Sequence, residues 1–227
     1  MELTIVQKVT AAVLPILFAI TLHEVAHGWV ARFFGDQTAQ VMGRLSLNPI
    51  KHIDPIGTVA LPAALLLLGS PYLFGWAKPV PVYFGNLRQP KRDMIWVALA
   101  GPGANALMGL FWTFVGGLGV ALFAPSSMPY ALLVAMGVYG ILANTVLGLL
   151  NLLPIPPLDG GRVMVGLLPN PASRWLAYVE PFGLPILLVL LFTGSLSYLL
   201  LGPLNAIFVT LSGLAGIPIP FIQVLLS

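Results

Sequence analysis

Two of the three histidines of the chain are separated by three residues, in His23-Glu24-Val25-Ala26-His27. On an α-helix, residues four positions apart lie on one face, about 6 Å apart along the axis, so both imidazoles can bind one metal ion. Glu24 then lies next to the metal, where its carboxylate can accept a proton from water. The spacing therefore predicts a metal centre with His23 and His27 as ligands and Glu24 beside the metal.

The composition of the chain places this motif in lipid. Of the 227 residues, 58% are hydrophobic and 7% are charged, whereas soluble domains carry about a quarter charged residues. Cysteine is absent, so metal ligands must be histidine, aspartate or glutamate. The net charge of +3 comes from basic residues scattered through an apolar chain. We interpret them as topology signals, and we expect no nucleic-acid partner.

The alternative to a metal site is a chance match, or buried polar residues that join helices. A charged side chain at the centre of a membrane helix costs about 2.5 to 3.5 kcal/mol. Three ionisable residues within five positions therefore need compensation, and a bound metal ion provides it. We favour the metal interpretation.

Catalytic zinc has three protein ligands and one open position, so a third ligand is needed. Most other acidic residues lie in polar loops, but Asp159 follows a long apolar run in Asn151-Leu-Leu-Pro-Ile-Pro-Pro-Leu-Asp159-Gly-Gly. The prolines end the helix and the glycines permit a tight turn, so the carboxylate can point back into the protein. Alone, this segment would be an ordinary Asp-Gly turn. Beside an H-E-x-x-H motif, Asp159 is the leading third ligand.

The elements that position these residues are apolar runs of membrane-spanning length. They predict an all-α polytopic membrane protein, one domain over 1–227, with a catalytic core at about 5–165 and C-terminal transmembrane helices at about 178–226. A sixth run, Ile56–Phe74, contains proline and glycine and either spans or is re-entrant. The five runs predicted to span are Ile5–Phe34, which we expect to be a retained helix, Met94–Ala124, Tyr130–Leu153, Pro181–Leu201 and Leu204–Leu226.

The basic residues orient these spans. Seven of the ten lie between Arg32 and Arg92, which indicates a cytoplasmic segment. If Arg32 marks the cytoplasmic end of the first helix, His27 and His23 lie roughly 7 to 14 Å below that boundary at 1.5 Å per residue. We expect a site inside the bilayer, near the cytoplasmic face of a prokaryotic plasma membrane.

With both motifs, the sequence resembles the site-2 protease family of intramembrane zinc metalloproteases. An apolar-x-x-H-E-x-x-H pattern is matched from Ile20 to His27, and N-x-x-P-x-P-x-L-D-G is matched at every fixed position from Asn151 to Gly160. A weaker G-P-x-x-N element comprises Gly101, Pro102 and Asn105. The resemblance covers most of 5–162, the three-helix catalytic core of the family.

The resemblance implies a zinc metalloendopeptidase with one zinc ion per chain, bound by His23, His27 and Asp159, and with Glu24 as base. It implies that Asn151 lies near the backbone of the bound substrate. Substrates would be transmembrane segments of other proteins, which must partly unwind to expose a peptide bond. The chain resembles a compact form without a PDZ domain. Asn151 could equally join membrane helices, and for Asn105 and Asn144 that is the interpretation we adopt.

The insertion between the motifs, from Gly35 to Asp93, is predicted to contain a membrane-associated strand or re-entrant element. The prolines of Trp76-Ala-Lys-Pro-Val-Pro-Val82 favour extended backbone, which could pair with a substrate by strand addition. An alternative is that His52 or Asp54 folds back as an additional metal or gating ligand.

Two other functions use the same ligand types. A mononuclear iron enzyme also has two histidines and one carboxylate, so metal analysis and the position of Glu24 distinguish it from a protease. A membrane metal carrier would use intramembrane histidine and aspartate as a pathway, but it has no use for a base between the ligands.

Overall fold

The computed structural model describes residues 3–68, 75 and 77–227. These residues form helices and connecting segments, and they contain no β-strand. The helices are α1 (Ile5–Phe33), α2 (Thr38–Val41), α3 (Leu61–Leu67), α4 (Pro90–Leu122), α5 (Met128–Asn151), α6 (Asp159–Leu167), α7 (Asn170–Tyr178), α8 (Gly183–Phe192), α9 (Ser195–Leu214) and α10 (Ile219–Leu226).

Five helical stretches are long and apolar enough to cross a membrane. They are α1, α4, α5, α9 and the stretch Asn170–Phe192, which joins α7 and α8 through a short turn. The predicted all-α membrane architecture with five spans is confirmed, and the chain is an integral membrane protein.

The predicted bounds of the last two spans are wrong. Instead of Pro181–Leu201 and Leu204–Leu226, the structure has Asn170–Phe192 and Ser195–Leu214. The boundary falls at Gly194, whose φ of 73° is left-handed and interrupts the helix. Pro203, which falls between the two predicted runs, lies inside α9, as proline can in membrane helices.

The doubtful run Ile56–Phe74 is helical from Ile56 to Leu67, and Leu68 is in a turn. Six residues of π-helical turn, Pro55–Ala60, lead into the seven residues of α3. Together they fall short of the roughly 20 residues that a spanning helix needs. Residues 69–74 of the predicted run lie outside the described residues. The segment 77–82 has no regular secondary structure, so the strand predicted there does not form in the described part.

Helices α1, α4 and α5 form the predicted three-helix core, and small residues allow α4 and α5 to approach closely. A methyl group on Gly137 would lie 2.7 Å from the Gly116 Cα, and one on Gly140 would lie 2.1 Å from the Trp112 Cγ. Close packing through glycine is the usual way in which membrane helices associate, because lipid provides no hydrophobic drive between them. The core therefore depends on van der Waals contact.

The turn between α5 and α6 returns the chain to α4. A methyl group on Gly160 would lie 2.2 Å from the Leu152 oxygen, and one on Gly161 would lie 2.2 Å from the Pro156 nitrogen. Only glycine permits so tight a return, and it places Asp159 at the first residue of α6. Helix α6 then packs against α4, where Gly166 faces Ile95.

Candidate metal centre

Three side chains from two helices converge inside the core. His23 and His27 lie one turn apart on α1, and Asp159 reaches them from the start of α6. The Nε2 atoms of the histidines are 3.1 Å apart, and the Asp159 Oδ2 lies 3.2 Å from the His23 Nε2 and 3.4 Å from the His27 Nε2. The three side chains are the group within the described ranges that could hold a metal ion.

The other nitrogen of each histidine is held by an oxygen. The His23 Nδ1 lies 2.6 Å from the Asn105 Oδ1, and the His27 Nδ1 lies 2.7 Å from the Val97 carbonyl oxygen. Because these oxygens only accept, each Nδ1 carries the hydrogen and each Nε2 presents a lone pair. This is the arrangement found for histidines that bind metal through Nε2.

The geometry fits a metal ion. Tetrahedral ligands at zinc distances would lie about 3.3 Å from one another, and the three separations here range from 3.1 to 3.4 Å. The Asp159 Oδ2 is buried and makes no hydrogen bond within the part of the chain that the structure describes. Three lone pairs converging in a buried space repel one another unless a cation lies among them. The donor set therefore matches a catalytic zinc site with an open fourth position.

A glycine of α4 provides the space for the imidazoles. A methyl group on Gly101 would lie 2.4 Å from the His27 Nε2 and 2.6 Å from the His23 Cε1. Helix α4 thus lies directly against the ligand atoms, which requires the absence of a side chain at position 101.

Glu24 is half-buried, and its carboxylate meets the insertion between the motifs. Its Oε2 accepts a hydrogen bond of 2.7 Å from the Val80 N–H. The Val80 side chain is buried against Gly28, one turn beyond Glu24, where a methyl group would lie 2.8 Å from the Val80 Cγ1. Segment 77–82 therefore lies across the face of α1 that carries Glu24.

Both ends of segment 77–82 are fixed. The Lys78 N–H donates to the His52 oxygen at 2.9 Å, and the Tyr83 N–H donates to the Asp36 Oδ2 at 2.7 Å. Burial of the Asp36 carboxyl favours its neutral form, but hydrogen bonds from Thr38, Tyr83 and Asn86 outweigh burial and hold the pKa of Asp36 below its usual value. A charged Asp36 thus helps to hold this segment in place.

The other candidate residues make hydrogen bonds within their own segments. Asn151 ends α5, and its Nδ2 donates to the Leu147 oxygen at 3.0 Å. The His52 Nε2 contacts the Ser46 oxygen at 2.8 Å, while the Asp54 Oδ1 accepts from the N–H groups of Ile56 and Gly57 and caps the following turn. The metal group among the described residues includes neither His52 nor Asp54.

The sequence analysis missed two contacts of this candidate site. Asn105 was interpreted as a residue that joins helices, but its amide oxygen bonds directly to His23. The G-P-x-x-N element carried that signal, because it places Asn105 one helical turn after Gly101. The contact of Val80 with Glu24 joins residues 56 positions apart, and no local sequence pattern predicts it.

Curated proteins that resemble the chain are named as zinc metalloproteases. "Putative zinc metalloprotease YwhC" of Bacillus subtilis is 38% identical over 199 residues, which cover 86% of this chain and 85% of that protein. "Putative zinc metalloprotease Rip2" of Mycolicibacterium smegmatis is 34% identical over 181 residues, 80% of this chain and 66% of that protein. The Rip2 protein of Mycobacterium tuberculosis H37Rv is 33% identical over 181 residues.

No protein-family model and no solved structure matches the chain. The similarity to YwhC nevertheless extends over most of both chains, and His23, His27 and Asp159 form a buried group of the kind that zinc requires. The chain belongs to the site-2 protease family of zinc metalloproteases, with zinc as its cofactor.

Proposed function

We propose that the chain is an intramembrane protease that hydrolyses peptide bonds within or near transmembrane segments of other membrane proteins. The observation that carries this proposal is the place of the site. Two of the three ligand atoms and the base belong to one membrane-spanning helix, and both histidines lie in its second half, away from either end.

The cytoplasmic position of the site rests on charge. Arg32 lies in the last turn of α1, and the basic insertion follows it. By the positive-inside rule this end of α1 faces the cytoplasm. Substrate segments would therefore be cut in their cytoplasmic half, in a prokaryotic plasma membrane.

The proposed ligands are His23, His27 and Asp159. Bound zinc would supply a water of lowered pKa and an electrophile for the peptide oxygen. Asn105 and the Val97 carbonyl hold the two imidazoles so that each Nε2 faces the third ligand. Gly101 keeps the space in front of them free of a side chain.

Glu24 would move the protons. Its carboxylate accepts one from the attacking water, holds it at a carboxylate oxygen and gives it to the amine that leaves. The Val80 N–H holds the other oxygen and so limits rotation of the carboxylate. A carboxylate that is already held in the orientation for proton transfer reacts faster than one that must first lose rotational freedom.

The proposed pairing of segment 77–82 with substrate has few donors available. Pro79 and Pro81 have no N–H, and the N–H groups of Lys78 and Val80 are used inside the protein. The carbonyl oxygens of Lys78 and Pro79 also accept hydrogen bonds from Arg44, at 3.0 and 3.3 Å. A substrate strand would therefore pair mainly with carbonyl oxygens beyond Pro79. Asn151 remains our candidate for a second contact to the substrate backbone, and it would exchange its bond to the Leu147 oxygen for that contact.

Metal analysis and a cleavage assay test the proposal together. Purified wild type should contain about one zinc per chain, and the protein in liposomes should cut a transmembrane reporter segment at peptide bonds located by mass spectrometry. Glu24→Gln should keep its zinc and lose cleavage, because the base contributes roughly a hundredfold or more. Iron in place of zinc would support an oxygenase instead, and transport that survives Glu24→Gln would support a metal carrier.

A further inference from the structure

A chain of buried amides connects the proposed zinc site to α5. The Asn105 Nδ2 donates to the Ala19 oxygen at 3.1 Å and to the Asn144 Oδ1 at 2.9 Å, while the Asn144 Nδ2 donates to the Gly140 oxygen at 2.9 Å. Asn105 and Asn144 are 1% and 2% exposed. The Asn105 oxygen, at the other end of its amide, bonds to the His23 Nδ1.

Each amide of the chain has one permitted orientation. If Asn105 turned over, its oxygen would face the oxygens of Ala19 and Asn144, and its NH2 group would face the His23 N–H. If Asn144 turned over, its NH2 group would face that of Asn105 and its oxygen would face the Gly140 oxygen. Contacts of donor with donor or acceptor with acceptor are costly in a buried site, where water cannot replace the lost partners.

We propose that Asn144 is a positioning residue for the proposed zinc site: it fixes the orientation of the Asn105 amide and thereby the tautomer of His23. An acceptor at the His23 Nδ1 puts the hydrogen there and leaves the Nε2 lone pair for the metal. Asn144 does this from α5, a helix that contributes no side chain to the ligand group. This inference rests on the proposed zinc site.

The tautomer of His23 can be measured because the chain has few histidines. The chain has three histidines. His23 and His27 bond to acceptors through Nδ1, whereas His52 bonds to the Ser46 oxygen through Nε2. Nitrogen-15 spectra of histidine-labelled, zinc-free protein, recorded at alkaline pH where imidazole is neutral, should therefore show two Nδ1–H histidines and one Nε2–H histidine, with His52 as the internal reference.

The main variant is Asn144→Leu, which removes the amide and keeps the approximate size of the side chain. We expect its His23 signals to move to a mixture of tautomers, while those of His27 and His52 stay unchanged. Zinc affinity, measured by competition with a chelator, should fall about tenfold, at the lower end of the range for groups that orient metal ligands.

Two further variants separate this role from a structural one. Thr145→Val removes a neighbouring buried hydrogen bond, from the Thr145 hydroxyl to the Ile141 oxygen within α5, and should leave the His23 tautomer and the zinc affinity as in wild type. Asn144→Asp, in contrast to Asn144→Leu, should keep the wild-type His23 tautomer and zinc affinity. A neutral carboxylic acid in an apolar interior offers one donor and one acceptor, as the amide does. If Asn144→Leu does not fold, Asn144→Thr replaces it, since its hydroxyl ends one bond closer to the backbone than the amide oxygen.

The outcomes of the two measurements are separate. An unchanged His23 tautomer in a folded Asn144 variant, with zinc affinity equal to that of Thr145→Val, would overturn the inference while leaving the zinc site intact. A wild type that binds no zinc would remove the proposed function. The tautomer shift in zinc-free protein would still test what Asn144 does to His23.

Discussion

Substitution of Gly101 by alanine should abolish tight zinc binding. The added methyl group would lie 2.4 Å from the His27 Nε2 and 2.6 Å from the Cε1 atoms of His23 and His27. Ordinary contact requires about 3.4 Å, so the imidazoles would have to move by roughly 1 Å. Metal–ligand distances tolerate only about 0.2 Å. We therefore expect zinc affinity to fall at least a hundredfold, beyond the usual loss for groups that merely orient the ligands.

A matched control lies two residues further along the same helix. A methyl group on Gly103 would meet nothing within 4 Å. Both substitutions replace glycine by alanine in a helix, which adds up to about 1 kcal/mol of helix stability in each case. The assay is zinc per chain after purification, followed by chelator competition and thermal unfolding. If Gly101→Ala bound zinc as tightly as Gly103→Ala, α4 would not lie against the ligands as described.

Three further changes test other contacts of the site. Asp159→Ala should lower zinc affinity at least tenfold, measured by chelator competition, and unchanged affinity would mean that the carboxylate is not a ligand. Val80→Pro removes the N–H that holds Glu24 and should slow cleavage about tenfold with zinc retained. Val80→Ala keeps that N–H and should slow cleavage less. Equal cleavage rates for the two variants would argue against a role of Val80 in positioning Glu24. Asp36→Asn should lower the thermal midpoint at neutral pH. Because the pKa of Asp36 is depressed in the folded state, the charged carboxylate stabilises the fold above about pH 4, and this stabilisation is lost as the pH falls through the folded-state pKa. The difference in thermal midpoint between Asp36→Asn and wild type should therefore shrink in acid.

The convergence of His23, His27 and Asp159 was predictable from signals in the two motifs themselves. His23 and His27 occupy one face of a helix by spacing alone, and the glycines after Asp159 explain how a carboxylate far along the chain returns to them. The number of spans followed from apolar run length. These features depend on periodicity and turn chemistry, which the sequence displays directly.

The bounds of the last two spans were wrong because Pro203 continues a membrane helix and Gly194 ends one.

Contacts between distant segments could not be predicted from local patterns. The pattern around Asn105 fits a residue that joins helices as well as one that contacts a histidine, and in the structure Asn105 bonds to Ala19, Asn144 and His23. Only the packing of α1 against α4 and α5 distinguishes these roles.

The separation of the ligands along the chain also has a consequence for biosynthesis. Asp159 is made about 130 residues after His27. At roughly 5 to 20 residues per second, the two histidines are in place for about 7 to 26 s before the third ligand exists. Asp159 is the first residue of α6, so its carboxylate can reach them only once α5 and the turn beyond it have been made. Until then a nascent chain cannot bind a metal ion through all three side chains of the group.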